Sequence, residues 1–316
     1  MTPVLRTVFT GALVCLSALA TATHGRTLNG FDLDGATVPP SKIFHGGPPR
    51  DGIPSIDNPV FVSAEDADFL ADDDRVLGLD VDGVQRAYPI AILNWHEIVN
   101  DRINGNAVVV SFCPLCGTGV VFHGAIDGED RQFGVSGLLY NSDVLLYDRS
   151  RESLWSQIKA EAVTGPDTGT RLQLIPVTHT SWADWRRRHR DTVVLSDQTG
   201  FARNYARDPY TGYYSSSHVM FPVSAESKRY HPKENVIGLS HNGSEKAWPF
   251  VELAQSGASP LVDSIGGTPV QVHFDSEHRT AQITTGDGEA LPGIVGFWFA
   301  WYAFHPDTEV YTAPDG

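Results

Sequence analysis

The pattern W-x-x-W-x-x-x-H-x-D-T occurs twice, in "WADWRRRHRDTVV" from Trp182 and in "WFAWYAFHPDTEV" from Trp298. Two other blocks repeat in the same order. "VLGLDVDGVQRAYPIAIL" from Val76 matches "VIGLSHNGSEKAWPFVEL" from Val236, and "INGNAVVVSFCPLC" from Ile103 matches "IGGTPVQVHFDSEH" from Ile265. Three ordered matches point to an internal duplication, in which one local unit buries the same face twice. The expected fold is therefore α+β and β-dominated, with two related lobes. The boundaries are a signal peptide over 1–22, an irregular lead-in over 23–60, a first lobe over 61–200, a connector over 201–235 and a second, shorter lobe over 236–316. Gly and Pro number 30 and 20, which suits short strands joined by tight turns.

The copies differ in one place. Phe112 to Trp182 is a much longer stretch than Phe274 to Trp298, so the first copy carries an insertion just after its cysteines. That insertion includes "GLLYNSDVLLYDRSRESLWSQ" from Gly137. In the second copy "VQVHF" alternates like a strand, "DSEH" has turn chemistry and "RTAQI" returns. By correspondence "VVVSF" is a strand, "CPLC" the turn of a β-hairpin and "TGVVF" the return. Cys113 then aligns with Asp275, and Cys116 with His278.

The chain holds three cysteines. Cys15 falls in the opening "MTPVLRTVFTGALVCLSALATATHG", where Arg6, a short apolar run and small residues read as a secretory leader. Cleavage after that run would leave Cys113 and Cys116 as a C-x-x-C pair in a periplasmic or secreted protein, where thiols oxidise unless something protects them. Three readings stay open. As a redox dithiol, Cys113 is the nucleophile, activated by turn N–H groups, and Cys116 resolves the mixed disulfide; this reading needs no cofactor. As a metal knuckle for zinc or copper, the pair lacks further cysteines, so His96 and His123 would complete Cys113 and Cys116. As a structural disulfide in a binding module, the small loop it closes would stabilise only weakly.

The segments "AYPIAILNWHEIVND", "SFCPLCGTG", "GLLYNSDVLLYDR", "LWSQ" and "FAWYAFHPDTEVY" resemble a large prokaryotic family catalogued only as a domain of unknown function, over about residues 45–310. The resemblance brings no established activity. Some members are named as candidate selenoproteins, which implies redox work at the C-x-x-C positions. This chain keeps both as cysteine.

Other polar residues are weighed against plainer roles. "PIAILNWHEIVND" reads as a short helix from Pro89 with Ile92, His96 and Val99 on one face, so His96 is either a core histidine or a ligand. His123 ends the return strand, and its facing depends on register. Asn141, Ser142 and Asp143 either form a turn or line a pocket over the dithiol. His189 and His305 recur in both copies, which argues for architecture. "YARDPYTGYYSSS" from Tyr205 reads as an ordered linker, with a carbohydrate or peptide surface as its alternative. The acidic "EDADFLADDDR" lacks the ligand spacing of a calcium loop.

The net charge of −15 repels phosphate backbones, so no nucleic acid is expected as a partner. Beyond the leader no run approaches the length of a membrane span, so no membrane insertion of the mature chain is expected. A redox or protein partner is expected but not named.

Overall fold

The computed structural model describes residues 26–314, and the expected leader over 1–22 lies outside the described residues. Strand accounts for 41% and helix for 11%, with small sheets set in a ring, propeller-like. The chain is thus β-dominated, as expected. Among the described residues its α component is four helices of seven residues each. No helix among them is long and apolar enough to cross a membrane.

The first lobe runs β1 (Arg75–Val81), β2 (Val84–Pro89), α1 (Ile90–His96), β3 (Ile98–Ile103), β4 (Asn106–Cys113) and β5 (Thr118–His123). The insertion follows as β6 (Phe133–Tyr140), β7 (Asp143–Asp148) and β8 (Leu154–Ser156). The lobe then closes with β9 (Thr178–Ser181), α2 (Trp182–Arg188) and β10 (Val193–Leu195). The second lobe repeats this order without the insertion: β11 (Asn235–His241), β12 (Ser244–Pro249), α3 (Phe250–Ser256), β13 (Leu261–Ile265), β14 (Thr268–Asp275), β15 (Thr280–Thr285), β16 (Ile294–Phe297), α4 (Trp298–Phe304) and β17 (Glu309–Val310).

Registers match between the lobes. Val76 lies opposite Pro89 and Val236 opposite Pro249; Val194 runs parallel beside Ala87 and Val310 beside Ala247. Several hairpins close on two residues with positive φ: Asp82-Gly83, Asn104-Gly105, Asn242-Gly243 and Gly266-Gly267. Such turns match the twist of the strands they join. The helix after Pro89 is shorter than the sequence pattern implies. Glu97 adopts φ 57° and ends it, so Val99 belongs to β3 instead.

The repeated tryptophan motif has a packing explanation. Trp185 and Trp301 lie flat on Gly78 and Gly238, where an added Cβ would meet the rings at 2.1 and 2.3 Å. Each indole N–H donates to the threonine of the motif, Thr192 at 2.9 Å and Thr308 at 3.0 Å. Each ring also stacks on the motif's histidine, His189 or His305. These histidines serve the core.

Three further features position the site. The insertion builds a five-stranded sheet with Ile43–His45 and Glu161–Thr164, so the lead-in expected to be irregular supplies one strand through backbone pairing with Leu138–Tyr140. The lobes interlock reciprocally, β16 packing on β5 and β9 on β15. The connector holds neither helix nor strand between residues 201 and 234 and lies across the insertion and the first hairpin.

Candidate functional site

β4 and β5 pair antiparallel with Cys113 opposite Thr118, so Pro114 to Gly117 form the turn between them. The Cys116 N–H donates to the Cys113 carbonyl at 3.2 Å, closing it. Gly117 takes φ 63°, which glycine adopts readily, and the Phe297 ring would lie 2.9 Å from any Cβ there. Both cysteines are free thiols. They are buried in an apolar cluster with Leu115, Leu139, Val144, Ile158 and Phe297.

A second turn meets the first. β6 and β7 close on Asn141 and Ser142, both with positive φ (54° and 64°). Asn141 suits that conformation. Ser142 occupies the position where glycine is preferred, at a cost of roughly 1 kcal/mol. Its carbonyl receives the Cys116 S–H at 3.3 Å and lies 4.0 Å from the Cys113 sulfur. Asp143 then turns its carboxylate to the same point. The two sulfurs and one carboxylate oxygen all lie within 4.8 Å of one another.

Burial governs the protonation of this cluster. It pushes the Asp143 carboxyl up to about 7, opposed by the Ile158 N–H and by the thiols. Asp143 Oδ2 accepts that N–H at 3.2 Å, and Oδ1 has no partner among the described residues. Burial also pushes the Cys113 thiol up, partly offset by hydrogen bonds from Cys116, and pushes the Cys116 thiol up further. Cys113 is therefore the easier of the two to ionise. Glu97 adds a fourth acid, raised to about 8 by burial and then by Asp143. Its left-handed backbone, which ends α1, aims it inward, while its carbonyl accepts the Phe112 N–H at 2.8 Å.

The connector covers this group. The Tyr213 hydroxyl donates to the Leu115 carbonyl at 3.1 Å. Lys233 sits over the Tyr213 ring at 3.9 Å and donates to the His218 carbonyl at 2.6 Å. Burial lowers Lys233 to about 8, and the neighbouring Cys116 works in the opposite direction. Beside the turn, Phe112 and Gly117 reach the wall of a cavity of about 920 Å³ between the lobes.

Cys113, Cys116, Ser142 and Asp143 come together. Asn141 instead ties the insertion to its cover, donating to the Ala303 carbonyl and accepting the Ser224 N–H. Both nitrogens of His96 are engaged, Nδ1 with the Pro54 carbonyl at 2.8 Å and Nε2 with the Tyr205 hydroxyl at 2.7 Å. His123 stands opposite Val108, at the end of the hairpin away from its turn. The expected Cys113, Cys116, His96 and His123 ligand set is therefore not assembled, and Asp143 is the third donor beside the sulfurs. Hairpin register carries His123 away, and helix packing commits His96.

Sequence reasoning missed Glu97, Tyr213 and Lys233. A lone acid inside the apolar run "IAILNWHEIVN" was the one signal for Glu97. The tyrosine-rich tract read only as an ordered linker or a carbohydrate or peptide surface, and nothing local linked it to the cysteines.

Fold and site together define a β-dominated protein of small sheets in a propeller-like ring, with a dithiol and a carboxylate buried under an irregular strap. The family described as "Protein of unknown function (DUF3179)" matches residues 50–288, and the chain belongs to that family. No curated protein and no solved structure matches it.

Proposed function

We propose that the protein is an exported thiol oxidoreductase acting through Cys113 and Cys116. The carrying observation is a carboxylate of raised pKa sharing a buried pocket with two unpaired thiols. A general base works best when its pKa lies near the working pH, and Asp143 at about 7 meets that condition. Asp143 takes the Cys113 proton. The Cys113 sulfur then attacks a partner disulfide, forming a mixed disulfide, and the departing partner sulfur takes up a proton. Cys116 loses its proton and attacks the Cys113 sulfur. This closes the Cys113–Cys116 bond and releases the partner as a dithiol, two electrons having passed to it. Both sulfurs are covered, so turnover requires the connector to lift from Leu115 and Asn141. We further read the matching registers of the two lobes as the product of a duplication, with the insertion added to one copy to build the site.

The test is thiol–disulfide exchange with a small model disulfide. Asp143→Asn is expected to slow exchange by about 10²-fold, the lower end of general-base effects, and Cys113→Ser to abolish it. Unchanged exchange in Asp143→Asn would remove the proposed base.

The clustering of two sulfurs and a carboxylate favours a second reading, a divalent metal such as zinc bound by Cys113, Cys116 and Asp143. Stoichiometric metal in anaerobically purified protein, lost in Cys113→Ser, would replace the redox assignment.

A further inference from the structure

The cavity between the lobes has a charge pattern that the dithiol does not use. Arg75 at the start of β1 and Arg279 after the second-lobe turn both line it. The Arg75 guanidinium donates to the carbonyls of His278, His179 and Arg279, which brings two positive charges from different lobes to one rim. Neither forms an ion pair among the described residues. The charge of Asp184 reaches Arg75, but its oxygens are taken by Arg187 and Arg188. His179 stands at the same rim, and its Nδ1 has no partner among the described residues.

Burial and the Arg279 charge lower Arg75 to about 10. Like charges so placed repel one another, and an anion between them relieves that repulsion. On a chain of net charge −15, two neighbouring arginines outside any ion pair among the described residues are a local exception. Three acids line the same cavity: Asp74, whose carboxylate accepts the Ala71 N–H at 2.8 Å, and Asp197 and Asp208, which accompany Arg203. Phe112, Phe250, Val295 and Phe297 supply apolar lining. A volume of about 920 Å³ is that of a small-molecule site.

We propose that this cavity binds a small organic anion, its carboxylate or phosphate head held by Arg75 and Arg279 and its apolar body lying along Phe112, Phe250 and Phe297. The site is independent of the thiol chemistry and needs neither sulfur. It lies against the Cys113–Cys116 turn, so its occupant would border the dithiol through Phe112 and Gly117.

Calorimetric titration with 2-naphthoate, 2-naphthyl phosphate and neutral 2-naphthamide tests it, because the three share one apolar body. At least one anion is expected to bind one per chain and at least about tenfold more tightly than the amide, as a charge-assisted pair requires. The tighter of the two anions names the head group. Arg279 is exposed, so Arg279→Glu leaves folding intact; it should weaken the anions about tenfold or more and leave the amide unchanged. A Cys113→Ser/Cys116→Ser double variant should bind the anions like the parent, which separates this proposal from the redox one. No binding of any probe, equal binding of all three, or anion binding unaffected by Arg279→Glu would overturn it.

Discussion

The turns after β4 and β14 share a backbone and differ in almost everything laid over it. In the first, Cys113 precedes a return strand beginning at Thr118; in the second, Asp275 pairs with Thr280 at the same register. Gly117 and Arg279 hold the equivalent position, both left-handed at φ 63° and 45°. Gly117 lies under the Phe297 ring, whereas Arg279 is exposed at the cavity rim. Asp275 accepts the N–H groups of Glu277 and His278, an ordinary polar turn. The first turn is roofed by the insertion and the connector, which supply Asp143 and Tyr213. The scaffold itself is chemically neutral. The difference arises where covering segments desolvate one turn and bring an acid to it, while the uncovered turn contributes a charge to the cavity.

Exchanging the two left-handed residues should break this asymmetry most visibly. Gly117→Arg forces a long charged chain against Phe297 and should cost about 3 kcal/mol or more, read from urea midpoints. Arg279→Gly should stay within about 1 kcal/mol of the parent. Equal losses would mean the turns are not differently packed.

Next in size is a pair on which the lobes should agree. Gly78→Ala and Gly238→Ala each thrust a methyl into a tryptophan ring and should each cost about 2–3 kcal/mol. A clear difference between them would show that one tryptophan can yield.

A smaller effect belongs to the first turn alone. Asp143 and Glu97 hold their protons to about 7 and 8, whereas unfolded carboxyls lose them near 4. Between those values the unfolded state binds fewer protons, so the stability of reduced, chelator-treated protein should fall as pH rises from about 4 to about 8 and then level off. Asp143→Asn should flatten the part below about 7 and exceed the parent at pH 8 by about 1–2 kcal/mol. A parent curve without that fall would contradict the burial of these acids.

The smallest effect is at the second turn. Asp275→Ala removes a carboxylate that accepts two backbone N–H groups and should cost about 1 kcal/mol, leaving thiol exchange unchanged.

The amino-acid sequence by itself determined what neighbouring residues can settle. Alternation in "VQVHF", the turn chemistry of "DSEH" and the many glycines and prolines made a β-dominated chain of short strands readable, because pleat and turn geometry depend on a few adjacent side chains. It also singled out Cys113 and Cys116 by residue type, together with the tract that carries Ser142 and Asp143. Only the tertiary structure decided which groups meet the sulfurs. Glu97 comes from a helix end, Asp143 from the insertion, and Tyr213 and Lys233 from a connector with no periodicity at all. Register sent His123 to the far end of its hairpin, and packing gave both nitrogens of His96 to Pro54 and Tyr205. Local patterns encode how a segment bends and which face it buries. They carry no information on which distant segment arrives to cover it, and at this site the covering desolvates the thiols and sets the protonation of the acids beside them.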